Sequence, residues 1–213
     1  VQDDSFVGKF YQFGEAILFL FYVNFLWVSF TLLGLVVFGL GPSTVAMFSI
    51  FRKWAMGEKG LPVFKMYWQA YREEFMKTNG ITLLLIFIGY MLYINMQYFE
   101  VPIPWLNMTI KALFIIVFFM YLIMIAYFYP LYVHYDNKFY SYLKNALLIT
   151  IYQPIRTFYL LAAVFTLYYL WVSFPIFLFL FGASLTSMIV MWISYRTFLR
   201  IEYKQSILAE QPS

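Results

Sequence analysis

His134 is the only histidine in the chain, two positions before Asp136, and there is no cysteine. A zinc or copper site needs several nitrogen, sulfur or carboxylate ligands converging on one point, so a single imidazole cannot build one. The same scarcity rules out a cysteine nucleophile and any disulfide, and it leaves no Ser-His-Asp set inside the apolar segments. His134 and Asp136 are expected to form an interfacial hydrogen-bonding pair. No GxxxxGK[ST] phosphate loop is present, so direct ATP binding is not expected. No catalytic, cofactor-binding or metal residue is assigned, and the chain is expected not to be an enzyme. The remaining chemistry is weaker and lies in polar groups among apolar ones. Asn24 is the deepest of these; in hydrocarbon its amide must find a partner, so it should face other helices, and an interhelical hydrogen bond is favoured over a ligand contact. Gly182, Ala183, Thr186 and Ser187 form two small-xxx-small pairs, which permit close approach of a helix, either within the chain or from a partner.

The elements that position these residues are set by composition. Hydrophobic residues make up 64% of the chain and charged residues 11%, where a water-soluble domain carries roughly a quarter charged. Lipid must cover part of such a surface. The expected fold is all-α, a polytopic membrane helix bundle of about six spans with two cytoplasmic amphipathic helices, in a single domain over residues 1–213. No charge occurs from Ala16 to Phe51, a run of 36 residues. As one helix this would be about 54 Å long against a hydrocarbon core of about 30 Å. A break is therefore predicted at Gly39-Leu40-Gly41-Pro42, giving a first span near 16–38 and a short helix near 42–57. The alternative is one long span followed by an interfacial helix. Further spans are predicted near 80–99 and 108–133, and two more in the charge-free run from Thr157 to Tyr195, interrupted at Pro175.

Between them lie basic stretches. Phe64, Trp68, Tyr71 and Phe75 recur at helical spacing opposite Lys65, Gln69, Arg72 and Glu73, which predicts an interfacial amphipathic helix over about 61–77. Phe139, Tyr142, Leu143 and Ala146 suggest another over about 136–150. In a six-span arrangement Lys9 and the 12 Lys/Arg of 52–77, 138–156 and 196–204 share one side, leaving only Lys111 opposite. Basic loops face the cytoplasm, so both termini are expected inside a bacterial plasma membrane. A five-span arrangement would move Lys9 outward. The net charge of +4 is thus a membrane-topology signal, and no nucleic-acid partner is expected. The acidic start, Val1-Gln2-Asp3-Asp4, does not read as a signal peptide.

Val23-Asn24-Phe25-Leu26-Trp27, then Gly41-Pro42-Ser43-Thr44 followed by Arg52-Lys53, resembles the YesL family of bacterial membrane proteins. Tyr129-Pro130-Leu131-Tyr132-Val133-His134-Tyr135-Asp136 and Lys144-Asn145-Ala146 are similar to a second signature of that family. The resemblance runs in the same order over nearly the whole chain. That family has no defined active site, so none carries over. Its members are often encoded beside carbohydrate ABC importers and glycan-degrading enzymes in Gram-positive bacteria, which implies a setting near sugar uptake.

Two functions follow as expectations. The first is a non-enzymatic accessory membrane subunit of a carbohydrate ABC importer, with the lipid bilayer and permease subunits as partners. The second is an independent small-solute membrane carrier, favoured only by the Gly39–Pro42 break, since Glu15, Glu100 and Lys111 all fall at predicted span ends. Candidate structural or partner-contact residues are Asn24, Trp27, Gly41, Pro42, Phe64, Trp68, Asn145, Gly182 and Thr186.

Overall fold

The computed structural model describes residues 6–136 and 139–210, and these form seven α-helices. They are α1 (Phe6–Leu33), α2 (Val37–Ala55), α3 (Val63–Tyr98), α4 (Pro104–His134), α5 (Phe139–Tyr152), α6 (Pro154–Ser173) and α7 (Pro175–Glu210). Prolines place three of the starts: Pro104, Pro154 and Pro175 each open a helix, where a missing N–H costs nothing and the fixed φ suits the first turn. Five helices, α1, α3, α4, α6 and α7, are long and apolar enough to cross a membrane. The chain is a multi-pass membrane protein. Of the six expected spans, the one near 42–57 corresponds to α2, a 19-residue helix with Arg52 and Lys53 in its last turn that is not among those five.

The break in the charge-free run lies earlier than the glycine-proline pattern suggested. The chain turns at Gly34-Leu35-Val36, and Gly39, Gly41 and Pro42 sit inside α2. Leu35 and Val36 take φ of 55° and 65°, a left-handed conformation costly for a β-branched residue such as Val36. The glycines serve close approach instead. A methyl group on Gly39 would collide with the backbone of Thr31 in α1, and one on Gly34 would collide with Gly39 itself. On Gly41 it would meet Thr82 and lie 3.1 Å from the Thr78 carbonyl oxygen of α3. With no side chains at these points, α2 settles against α1 and α3 together. It also packs on α4 and α7, and its residues from Val45 to Phe48 are all buried.

The predicted amphipathic segment over 61–77 is not a separate helix. It runs without interruption into the following span as the 36-residue α3. Thr78-Asn79-Gly80 contains no proline, and one glycine lowers helix stability by only about 1 kcal/mol, too little to end a helix held by packing. The aromatic face of this segment is partly covered from within. Phe30 of α1 lies against Phe64, Tyr67, Trp68 and Tyr71, with ring centroids 5.0 to 6.4 Å away. The second amphipathic segment is α5, with Tyr142, Ala146 and Ile149 buried against the bundle; Lys138 lies outside the described residues. The basic tail is the continuation of α7.

Gly39 and Gly80 therefore respond oppositely to the same change. Gly39→Ala forces α1 and α2 apart and should cost about 1–3 kcal/mol, as overpacking does. Gly80→Ala meets nothing within 4 Å and should leave stability equal or slightly higher. Thermal unfolding of the two variants in one detergent checks this, and a Gly39→Ala protein as stable as wild type would contradict the close contact.

Candidate functional site

Asn24 is 4% exposed on α1 and joins that helix to α7. Its Nδ2 donates to the Phe179 carbonyl oxygen at 2.9 Å, and its Oδ1 accepts from the Ser184 amide at 3.2 Å. A side-chain amide presents donor and acceptor side by side, which matches a carbonyl and an amide at neighbouring levels of one helix. Both polar groups of Asn24 are thereby used within the fold. Around this clamp lies a cleft of about 700 Å³ with walls from α1, α2, α6 and α7. Two indoles frame it: Trp27 Nε1 donates to Thr44 Oγ1 at 3.1 Å, and Trp171 Nε1 donates to Thr186 Oγ1 at 3.3 Å. Gly182, Ala183 and Ser187 form the adjoining strip of α7.

The cleft is thus lined by mostly satisfied polar groups and by small or aromatic side chains. It has the make-up of a packing surface, because both indoles, the Thr44 and Thr186 hydroxyls and the Asn24 amide are engaged within the fold. Four sequence-selected residues meet here: Asn24, Trp27, Gly182 and Thr186. Gly182 is buried, and a Cβ there would press on Leu178 of its own helix, so this face borders the chain's own groove.

A second cluster gathers where α2, α3, α4 and α7 come together. The expected His134–Asp136 pair does not form as such. His134 Nε2 lies 3.3 Å from Glu202 Oε1 on α7, and the Tyr135 hydroxyl donates to the same oxygen at 2.8 Å. The carboxylate that meets the ring nitrogen thus comes from a packed neighbouring helix and not from the same chain segment. Burial and the Glu202 carboxylate push the Tyr135 hydroxyl above its ordinary pKa, so it stays a donor. Tyr132 donates to Glu74 of α3, and the Tyr142 hydroxyl of α5 donates to the Tyr135 carbonyl oxygen at 2.9 Å. Asp136, Arg52 and Lys77 line the same cavity of about 440 Å³.

The other selected residues lie apart. Gly41 and Pro42 are buried at the α2–α3 contact, while Phe64 and Trp68 are 55% and 47% exposed beside Phe30. Asn145 is half-buried on α5 and makes no hydrogen bond among the described residues. Sequence reasoning did not select Trp171, Phe179, Glu74 or Glu202. Trp171 stands 15 positions from its partner across the Pro175 turn, and nothing in its local pattern announces that pairing. Glu74 and Glu202 carried a weak signal, as carboxylates inside basic segments, which seek donors.

Removing the Asn24 clamp leaves two α7 backbone groups without their added partner. Asn24→Leu should lower unfolding stability by about 1–2 kcal/mol, modest because alternative partners exist within a membrane. Denaturation in mixed micelles measures this. A loss equal to that of Asn24→Ala combined with disrupted insertion would mean the residue acts in membrane integration instead.

The chain is similar to known proteins along most of its length. The profile of the family described as "Protein of unknown function, DUF624" matches residues 20–96, which include Asn24, Trp27, the α1–α2 turn and most of α3. The chain is 35% identical to the uncharacterized protein YteU of Bacillus subtilis (strain 168) over 202 residues, covering 95% of this chain and 90% of that one. It is 34% identical to YesV of the same organism over 188 residues, 88% of this chain and 90% of that one. With YesL, also of that organism, identity is 28% over 184 residues, 86% of this chain and 87% of that one. No solved structure matches the chain. Near-complete alignment with these relatives leaves one assignment: this chain belongs to the DUF624 family.

Proposed function

We propose that the chain is a non-enzymatic accessory subunit of a carbohydrate ABC importer, which grips a permease helix through its intramembrane cleft. The observation that supports this reading is the cleft beside Asn24. It opens between α1 and the α6–α7 pair, its Asn24 amide and both indoles are already paired, and its α7 wall includes Gly182, Ala183 and Thr186. Association of helices in lipid depends on packing rather than on hydrophobic burial, and small residues give the closest packing. The sugar-import setting rests on the family resemblance described above. A non-enzymatic role is supported by the ionisable groups at the bundle end, where His134, Tyr135 and Tyr132 are each tied to a carboxylate.

The same reading puts both termini on the cytoplasmic side. The contacts Phe19–Phe51 and Trp27–Thr44 run α2 antiparallel beside α1, which supports a pair that crosses the membrane twice. The four remaining long helices add four more. The chain has no native cysteine, so a single Ser5→Cys reports the N-terminal side directly. Labelling by an impermeant maleimide only after membrane permeabilisation is expected, and labelling of intact cells would overturn the topology.

For the partner, Gly182→Leu fills the cleft. It should lower recovery of a co-expressed permease from mild detergent by roughly tenfold while the chain still inserts, the factor being that of about 1.4 kcal/mol of lost packing. Trp68→Gln should act likewise if protein covers that face of α3. A chain that purifies alone and moves a solute across liposomes would sink the subunit reading in favour of a carrier.

A further inference from the structure

Arg156, Arg196, Arg200 and Lys204 line one cleft of about 750 Å³ between the start of α6 and the second half of α7. Positions 196, 200 and 204 are successive i, i+4 neighbours, so the three α7 cations share a stripe. Like charges at that spacing destabilise a helix unless something answers them. Among the described residues, none of the four has a carboxylate within ion-pair distance, and no acidic residue lines the cleft. Glu202, between them in sequence, is engaged by His134 and Tyr135. The start of α6 adds to the positive field. Its N-cap, Gln153, makes no side-chain capping bond, and the first amides of any helix lack intrahelical acceptors. Arg196 is held in position by Trp192, whose ring its guanidinium carbon overlies at 3.7 Å.

The cleft also has an apolar part. Ile155, Tyr159, Ala163 and Ile189 line it together with the cations, and Ile155 and Tyr159 are 70% and 63% exposed. Arg156 immediately precedes the charge-free run that begins at Thr157, and Arg196 immediately follows its end at Tyr195. The cations therefore mark the level at which α6 and α7 both pass from hydrocarbon to water. An occupant must offer a negative group to the cations and an apolar body below it. We propose that this cleft is a binding site for an anionic phospholipid, with the phosphate held by Arg156, Arg196, Arg200 and Lys204 and the acyl chains along Tyr159, Ala163 and Ile189. Basic pockets between helices at the cytoplasmic boundary suit such headgroups, and tyrosine and tryptophan suit the same level. This site is separate from the Asn24 cleft and does not depend on the partner reading.

Native mass spectrometry of the full chain in detergent, with phosphatidylglycerol or phosphatidylcholine added, tests the site. Phosphatidylglycerol should be retained about tenfold more strongly, as the loss or gain of one to two cation contacts implies. Arg196→Gln combined with Arg200→Gln should abolish that preference, and Arg156→Gln should reduce it. Lys65→Gln combined with Arg72→Gln removes the same charge from exposed positions of α3 and should leave the preference intact. Equal retention of the two lipids, or equal loss in the α3 control, would overturn the site as a built one. Displacement of phosphatidylglycerol by millimolar inorganic phosphate would overturn the lipid assignment and give the cations to a soluble phosphate. A Trp192→Leu variant that keeps its fold but loses selectivity would support the positioning of Arg196.

Discussion

Close approach of three backbones at Gly34, Gly39 and Gly41 is the contact on which the remaining architecture rests. In lipid there is no hydrophobic gain from bringing helices together, so α2 is held by dispersion contact and by hydrogen bonds that reach across. Glycines bring the α2 backbone near enough to α1 and α3 for both. The strained turn at Leu35 and Val36 persists because the surrounding contacts allow the chain no wider path. Once α2 is seated, α3, α4 and α7 have a common surface to pack on, and the two clusters described above form at its borders.

Tyrosine hydroxyls supply the polar part of this cohesion. Tyr67 donates to the Ser43 carbonyl oxygen, beside Pro42, which itself lacks an amide to donate. Tyr71 donates to the Phe30 carbonyl oxygen, and Tyr121 to that of Leu85. Tyr127 and Tyr129 pair with Thr157 and Thr82. These side chains are long, largely apolar and end in one hydroxyl, so they reach carbonyls on neighbouring helices without exposing charge to lipid. An aromatic content of 24% exceeds what belts at the two membrane surfaces need, and the interior bonds use much of the excess. A bundle whose tyrosine hydroxyls are spent in this way is suited to holding and presenting surfaces, which fits the subunit proposed above.

The membrane class was legible from composition, because no arrangement of 213 residues that are 64% hydrophobic can hide that area from water. Breaks at Pro154 and Pro175 were legible because proline suits a first turn, whereas Pro104 opens α4 within the stretch read as a turn, and Pro42 and Pro130 lie inside helices. The inward face of Asn24 was legible as well, since an unpaired amide in hydrocarbon is expensive. By contrast, the role of the glycines at 39 and 41 was not local. A glycine permits both a turn and a close contact, and its own sequence neighbours do not distinguish them.

Local rules likewise could not say that 61–77 and the next span form one helix, because an amphipathic pattern and an apolar one are equally helical. They could not name Phe179, Ser184, Glu202 or Trp171 as partners, for each lies on a helix remote in sequence from the group it meets. Periodicity, charge and proline positions act within a few residues, so the sequence by itself determined that this is a helical membrane protein and where most helices begin. Which backbones touch, which carboxylate answers His134, and which four cations share a cleft depend on packing between helices up to 160 positions apart. Only the tertiary structure could decide those, because helical periodicity repeats every few residues and is nearly the same for every possible neighbour.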